Sequence, residues 1–394
     1  MDKNAILLAG SWPEKAAANP VFDPIVVDFL TTLSQKLRTD QNLQTDSQSQ
    51  SLAFWLRRNH LESFLSIVSH HQYRLGRGTI FHVAPVNVPM LFAYSFAISL
   101  LAGNNNIVRI SPQIVQTVQP LLQIINKLMD NAKFSSIKSN NAFISYAKDT
   151  TITNRLSATC DGRIIWGGDQ SINDIRQSPL PPQAIELCFP DRYSIAVFDA
   201  HTLANYSDTE INLQAQHFYN DTYEMDQNAC SSPHIIFWLT HCNNDIHEQQ
   251  IRWWNAVATI AKKYDLAPLK ASRKYTDLCT FAMTIPEITN ITRFTNRLYV
   301  YTLSAVPTNI THLTGAFGQF FQINLPSNEM LYPHLTKKIQ TISLLGVDKK
   351  EFRRNLISYN AMGGDRIVMV GQAMDMHIVW DGYNMIEFLS RIIS

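Results

Sequence analysis

GTIFHVAPVNVPMLFAYSFAISLLAGNNNIVRIS, residues 78–111, decides the fold. GTIFHVAP is an apolar run of strand length, PVNVP is a loop stiffened at both ends by proline, and MLFAYSFAISLLA is apolar all round, as a buried helix is. Gly103 and the asparagines after it read as the helix C-cap, and NIVRIS reads as a second strand. Strand, buried helix and strand form a βαβ unit, which demands a parallel sheet with a right-handed crossover. Ligands of such sheets bind at the carboxyl ends of the strands.

On the amino side of this unit, Phe22, Ile25, Val26, Phe29, Leu30, Leu33 and Leu37 recur at helical spacing. The polar stretch TDQNLQTDSQSQS, residues 39–51, has few apolar side chains and reads as a mobile surface connection. Trp55, Leu56, Leu61, Phe64, Leu65 and Val68 suggest a second helix before the turn at Gly76 and Gly78. On the carboxyl side, residues 115–129 give a helix, AFISYA and RIIWGG strands, INDIRQ the beginning of a helix and YSIAVFDA a further strand. The fold class is α/β, doubly wound. A polar helical segment with Gln214, Gln216 and His217 then leads to a Cys-Ser-Ser-Pro turn and the strand IIFWL, where a second α/β layer begins. Residues 262–345 mix short strands with loops, RIVMVG is a strand, and residues 384–393 suggest a closing helix. The expected division is residues 1–199 for amino-terminal helices and a cofactor domain, 200–370 for a catalytic domain, and 371–394 for a closing segment.

The chain of 394 residues, 45% hydrophobic, has room for a large core and for more than one domain. With 33 basic and 32 acidic residues, charge implies no nucleic-acid partner. The five cysteines, Cys160, Cys188, Cys230, Cys242 and Cys279, are odd in number and widely spaced, as expected of reduced thiols in a cytoplasmic protein. The opening MDKNAILLAG reads as structural rather than as a signal peptide, because Trp12, Pro13 and Glu14 stand where a cleavage region should lie. The apolar run at residues 83–102 approaches the length of a membrane span, but Pro85, Asn87 and Pro89 make it a strand, loop and helix. Twelve histidines, including the neighbouring His70 and His71 and a Cys242/His247 pair, give no metal-ligand spacing.

Cys230 follows DQNA and precedes SSP, where a helical segment breaks into a turn before a buried strand. Backbone N–H groups and positive helix ends stabilise a thiolate there, and a thiolate attacks thioesters and aldehydes. A cysteine taken alone is more often a small buried residue, and that reading is kept for the other four. An acyl-transfer site also needs donors for its oxyanion, and Asn87, held between Pro85 and Pro89, is the candidate; alone it would read as a turn former. No G-x-G-x-x-G exists in the chain. WGGD, residues 166–169, instead joins a strand to a helix and lets backbone amides approach a pyrophosphate, while Arg109 ends a strand where a ribose or 2′-phosphate could lie, next to Ser111. Taken singly, WGGD is also a tight turn with a capping aspartate, and Arg109 a solvated strand-end charge.

Taken together the chain resembles the acyl-CoA reductases typified by the fatty acid reductase of bacterial bioluminescence (LuxC), a branch of the aldehyde dehydrogenase superfamily. The resemblance covers most of the chain and is carried by HVAPVNVP (82–89), LLAGNNNIVRISPQ (100–113), IIWGGDQSINDIR (164–176), DQNACSSPHIIFW (226–238), KIQTISLLG (338–346) and GGDRIVMVGQAMDMHIVWDGYNMI (363–386). It implies that Asn87 is the oxyanion asparagine of the superfamily's P-x-N-x-P motif and Cys230 the catalytic cysteine. Arg109 falls where the superfamily carries a ribose-binding lysine, and Trp166, Gly168 and Asp169 fall on its F-T-G-S segment, beside nicotinamide and pyrophosphate. ELCF, residues 186–189, keeps only the first two letters of the E-L-G-G segment whose glutamate activates water, so Glu186 reads as structural and the acyl-enzyme awaits hydride. No clear oligomerisation hairpin precedes His82.

The implied reaction is reduction of an acyl thioester to an aldehyde with NADPH, through acyl-Cys230. The implied partners are coenzyme A or a carrier protein as acyl donor, an acyl-protein synthetase, and further copies of the chain. Two other readings compete: a cysteine acyltransferase or thioesterase without nicotinamide, which leaves WGGD and Arg109 unexplained, and a non-catalytic scaffold of a biosynthetic complex, which leaves Cys230 and Asn87 unexplained.

Overall fold

The computed structural model describes residues 5–13, 18–241 and 245–394, which form two compact units: Met1–Asp191 with Met376–Ser394, and Arg192–Asp375. The first unit is built on a six-stranded sheet of β1 (Ile6–Gly10), β2 (Thr79–Val83), β3 (Asn105–Ile110), β4 (Asn141–Ser145), β5 (Gly162–Trp166) and β6 (Ile185–Phe189), in the spatial order β1-β4-β3-β2-β5-β6. Only β1 runs antiparallel to its neighbour; the rest are parallel. The expected βαβ unit is present, with the buried helix Leu91–Leu101 crossing from β2 to β3. That helix is apolar all round because its other side meets helix Pro24–Thr39, whose Val26, Phe29, Leu30, Leu33 and Leu37 point into the same core. The chain winds outward from β2 through β3 to β4 and then returns to β5 on the other side of β2. The topological switch point therefore lies between β2 and β5, and the loops after these strands, residues 84–90 and 167–168, flank it.

The second unit is a seven-stranded sheet of β7 (Tyr193–Asp199), β8 (Pro233–Leu239), β9 (Ile288–Thr295), β10 (Leu298–Leu303), β11 (Gln319–Leu325), β12 (Ile339–Leu345) and β13 (Arg366–Met369), ordered β9-β10-β11-β8-β7-β12-β13. β9 is the antiparallel edge strand. Its core has two faces, one around Phe198, Phe218, Trp238, Trp253 and Phe320, the other around Ile195, Phe237, Tyr301, Phe321 and Ile342. Burial on both faces explains why these strands read as continuous apolar runs.

Four expectations are corrected. Residues 39–51 are not a mobile connection: Asp46 caps a helix at Ser47–Trp55, Gln50 donates to the carbonyls of Leu37 (3.1 Å) and Leu43 (3.0 Å), and Leu43 is buried. Side-chain capping and one buried leucine replace the apolar stripe that the sequence lacks. The helix expected over residues 55–68 is instead broken into Ser47–Trp55, Arg58–Ser63 and a 3-10 turn at Phe64–Ser66. Residues 262–345 contain a 17-residue helix, Pro268–Thr284, in which only Lys274 is fully buried; Leu278 and Phe281 pack on the core but are only partly buried, and Leu269 and Met283 are 83% and 86% exposed, so the apolar stripe is thin. The closing helix is confined to Met385–Phe388, after which Ser390–Ile392 pairs antiparallel with Arg74–Gly76. Accordingly the tail from Met376 belongs to the first unit, and β7, expected at the end of the first domain, is a central strand of the second. Cys242 lies outside the described residues. No helix among the described residues is long and apolar enough to cross a membrane.

Candidate functional site

In the first unit, the residues singled out from sequence gather at the carboxyl ends of β2, β3 and β5. Asn87 sits exposed in the bend between β2 and the buried helix. Arg109 lies near the end of β3; its Nη2 donates to the Tyr146 carbonyl (3.3 Å), the guanidinium stands 5.0 Å from the Tyr146 ring centroid, and its Nε is buried with no hydrogen-bond partner among the described residues. A buried donor left unsatisfied costs about 1–3 kcal/mol, so an acceptor-bearing ligand at this strand end would relieve it. Ser111 is buried just beyond β3, and its Oγ accepts from the Gln113 N–H (3.4 Å). These residues fit the ribose or phosphate of a dinucleotide.

Trp166 and Gly168 are placed differently from a ligand-facing pair. Trp166 is buried in the core, stacked on Phe189 with ring centroids 3.8 Å apart, and its Nε1 donates to Ser95 Oγ (3.1 Å). It anchors the Gly167–Gly168 turn from behind. Gly168 is the N-cap of helix Asp169–Arg176, but the Asp169 N–H already donates to the Asp191 carboxylate (3.3 Å), and a Cβ on Gly168 would come within 2.9 Å of that carboxylate. A pyrophosphate at this helix end would have to displace Asp191, like charge against like. Asp191 was not singled out from sequence; its place two residues beyond β6 is the signal that marks it.

Glu186 is held in an ion-pair cluster. Its register partner on β5, the fully buried Arg163, donates through Nε (2.9 Å) and Nη2, and Arg176 Nε lies 2.8 Å from the other carboxylate oxygen. Arg163 also donates to Ser157 Oγ (2.8 Å) and the Ser178 carbonyl (3.2 Å). A carboxylate with both oxygens committed to arginines is a poor water-activating base, and removing it would strand a buried charge.

In the second unit, Cys230 lies half-buried at the amino end of β8, in the turn between helix Asp208–Thr222 and the strand. Its approach is unusual: Asp226 and Gln227 both take left-handed backbone angles (φ 54° and 60°), a conformation that non-glycine residues adopt rarely and at an energetic cost. Facing them is a second left-handed pair, Phe317 and Gly318 (φ 57° and 81°). The two are cross-braced. Buried Gln227 accepts from the N–H groups of Gly318 (2.7 Å) and Gln319 (3.1 Å) and donates to the Gln319 carbonyl (3.0 Å). Lys274 donates to the carbonyls of Phe317 (2.9 Å) and Gly318 (3.1 Å), and burial pushes its pKa down to about 7. Lys270 (2.8 Å) and the Tyr264 hydroxyl hold Asp226.

The Cys230 peptide is fixed from below as well. Ser194 Oγ donates to the Cys230 carbonyl (2.6 Å) and accepts from the Thr341 N–H (3.1 Å). Ser232 Oγ donates to the Asp221 carbonyl (2.9 Å), while the Asp221 carboxylate accepts from Gly371 (2.6 Å) and Ala373 (2.9 Å). Burial raises the Asp221 carboxyl to about 7 against the pull of those two amides. The glutamine was present in DQNACSSP, but its role depends on the long-range partner at residues 317–319, which no local pattern discloses. Gln227→Leu is expected to leave two or three buried backbone groups unpaired and to lower unfolding free energy by about 2–5 kcal/mol, read from the urea midpoint; a midpoint unchanged from wild type contradicts the brace.

The other described cysteines occupy different settings. Burial pushes the thiols of Cys160 and Cys188 up to about 11, with Glu186 adding to the effect at Cys188, and Cys279 is exposed on helix Pro268–Thr284. Burial lowers the pKa of two histidines to about 4: His82 in the first unit, which is fully buried, and His234 in the second, which is partly buried. A histidine whose folded pKa is depressed contributes stability above its unfolded pKa of about 6.5, and that stability is lost as pH falls through the folded value. The stability advantage of wild type over His82→Gln is therefore expected to narrow by up to about 1.4 kcal/mol per pH unit between about pH 6.5 and about pH 4. Denaturant titrations of both proteins across that range check it, and a constant difference contradicts it.

The fold is shared with aldehyde dehydrogenases at low identity. Mycobacterium tuberculosis aldehyde dehydrogenase complexed with NAD+ aligns at TM-score 0.63 and 11% identity over 97% of this chain and 85% of that one. A point mutant of Thermus thermophilus 1-pyrroline-5-carboxylate dehydrogenase aligns at TM-score 0.63 and 10% identity over 94% and 80%. A point mutant of Bradyrhizobium japonicum proline utilization A aligns at TM-score 0.62 and 12% identity over 92% of this chain but only 40% of that longer protein. No match is found among curated proteins. A family model described as acyl-CoA reductase (LuxC) matches residues 48–392, which include every candidate residue discussed above. The chain belongs to the acyl-CoA reductase (LuxC) family.

Proposed function

We propose that this acyl-CoA reductase converts an acyl thioester to the aldehyde through an acyl-Cys230 intermediate, with NADPH as the reductant. The observation that carries the assignment is the setting of Cys230: half-buried on a strained turn braced by Gln227, Lys274 and Ser194, whereas burial holds Cys160 and Cys188 as thiols.

In the first half-reaction the Cys230 thiolate attacks the acyl carbon, and the Asn87 side-chain amide donates to the developing oxyanion. The new carbon–sulfur bond forms, the bond to the carrier sulfur breaks, and the carrier leaves as a thiolate. A thiol with pKa about 8.5 leaves without strong acid help, so no histidine partner is required. When bound, NADPH would supply the hydride that turns the Cys230 thioester into a thiohemiacetal. Collapse of the thiohemiacetal releases the aldehyde and returns Cys230 as a thiolate. Arg109 and Ser111 would hold the ribose or phosphate side of the cofactor, and the Gly167–Gly168 turn, anchored by Trp166, would flank the nicotinamide side. Glu186, tied to Arg163 and Arg176, leaves water unactivated, which favours reduction over hydrolysis. The acyl donor is coenzyme A, a carrier protein, or a partner synthetase.

Mixing the protein with NADPH and acyl-CoA of several chain lengths tests the reading. Loss of NADPH absorbance with formation of one aldehyde per NADPH is the expected result. Release of free acid without NADPH consumption would establish the thioesterase reading instead.

A further inference from the structure

A line of buried polar side chains runs through the interior of the first unit. Trp166, Ser95, His82, Asn106 and Asn141 are all buried, and they come from β5, the crossing helix, β2, β3 and β4 in turn. Trp166 Nε1 lies 3.1 Å from Ser95 Oγ, Ser95 Oγ 2.9 Å from His82 Nδ1, and His82 Nε2 2.8 Å from Asn106 Oδ1. Asn106 Nδ2 lies 2.8 Å from Asn141 Oδ1, its register partner across β3 and β4, and Asn141 Nδ2 is 2.7 Å from the Ile137 carbonyl.

The chemistry of the two ends, together with a buried and neutral His82, sets the direction of the bonds between them. An indole N–H can only donate, so Ser95 accepts from Trp166, and a carbonyl can only accept, so Asn141 donates to Ile137. Each intermediate group then has one assignment that satisfies it. The Ser95 hydroxyl donates to His82 Nδ1, His82 carries its hydrogen on Nε2 and donates to Asn106, and Asn106 donates to Asn141. With His82 neutral, all five bonds point the same way. A chain of aligned bonds in a low-dielectric interior is stiff, and a gap in it leaves buried groups unpaired.

Burying five polar side chains costs free energy unless each is hydrogen-bonded, and here each one is. The chain ends on Trp166, the last residue of β5, at the switch point. There Trp166 has two attachments, its ring on Phe189 and its N–H on Ser95, and the next residue, Gly167, donates its own N–H to the Phe189 carbonyl (3.2 Å). We infer that Ser95 and His82 are positioning residues, which lock Trp166 and through it set the Gly167–Gly168 turn for nicotinamide binding. The inference rests on the cofactor reading given above.

The test is a double-mutant cycle read by calorimetric binding of NADPH to the full chain. Ser95→Ala cuts the chain while leaving both neighbours in place, and Trp166→Phe keeps a ring while deleting its N–H. Each single substitution is expected to weaken NADPH binding by roughly threefold to tenfold, the worth of one buried hydrogen bond. Ser95→Ala is expected to have no further effect in the Trp166→Phe background, because the link is already gone. His82→Gln, which keeps one acceptor and one donor, should bind NADPH as wild type does, and His82→Leu should behave like Ser95→Ala. A merely structural Ser95 would lower thermal stability and multiply with Trp166→Phe, and that result, or unchanged binding in Ser95→Ala, overturns the inference. Absence of NADPH binding in the wild-type protein overturns the cofactor reading itself.

Discussion

Replacing Cys230 by alanine is expected to lower aldehyde formation by at least about 1,000-fold while leaving NADPH binding unchanged. Loss of the nucleophile removes the covalent intermediate altogether, and enzymes stripped of such a residue fall to the residual rate that binding and oxyanion stabilisation support. The fold should survive, because the turn is held by groups other than the Cys230 thiol. Ser194 binds the Cys230 carbonyl, which alanine retains, and Gln227 and Asp221 grip the flanking backbone. Steady-state rates of NADPH oxidation and aldehyde release measure the effect. Activity within tenfold of wild type would contradict the assignment.

Asn87→Ala comes second, with an expected fall in kcat of about 100-fold to 1,000-fold, the range for deleting one oxyanion donor. Because the interaction strengthens as charge develops on the acyl oxygen, KM should change far less than kcat. Asn87 is exposed in its bend, so the substitution should leave the unfolding midpoint where it was. A matching loss of stability, or a change confined to KM, would reassign Asn87 to a structural or binding role.

The parts of the fold that could be read from sequence are those where one local pattern has one physical cause. Residues 78–111 alternate between apolar strand, proline-bounded loop and all-apolar helix, and they fold as that pattern requires, in parallel register from Thr79↔Asn105 to Val83↔Arg109. Residues 39–51 misled because their order comes from Asp46 capping and from Gln50 reaching two distant carbonyls, interactions that composition does not record. Helix Pro268–Thr284 was hidden for another reason: its inward stripe is short and only partly buried, Leu278 and Phe281 packing on the core, and its one fully buried member is the charged Lys274. Cys230 and Asn87 were singled out through their turn chemistry and through the family resemblance. Gln227, Asp191 and the chain from Trp166 to Asn141 were not, because each acts through a partner between 13 and 92 residues away or through several strands at once.

The family places the chain among acyl-CoA reductases, and the proposed reading draws on one setting in each unit. In the first, an arginine whose Nε has no partner among the described residues and a glycine turn backed by a locked tryptophan stand at the carboxyl edge of a doubly wound sheet. In the second, a cysteine sits on a strained, braced turn at the amino edge of β8. The claim common to all of this is that Cys230 carries the acyl group. It is tested most directly by intact-protein mass spectrometry after mixing the chain with a panel of acyl thioesters and no nicotinamide. The account predicts a single adduct of the acyl mass, mapped to Cys230, absent from Cys230→Ala and discharged when NADPH is added. An adduct that persists in Cys230→Ala, or that maps to Cys160, Cys188, Cys242 or Cys279, would contradict it.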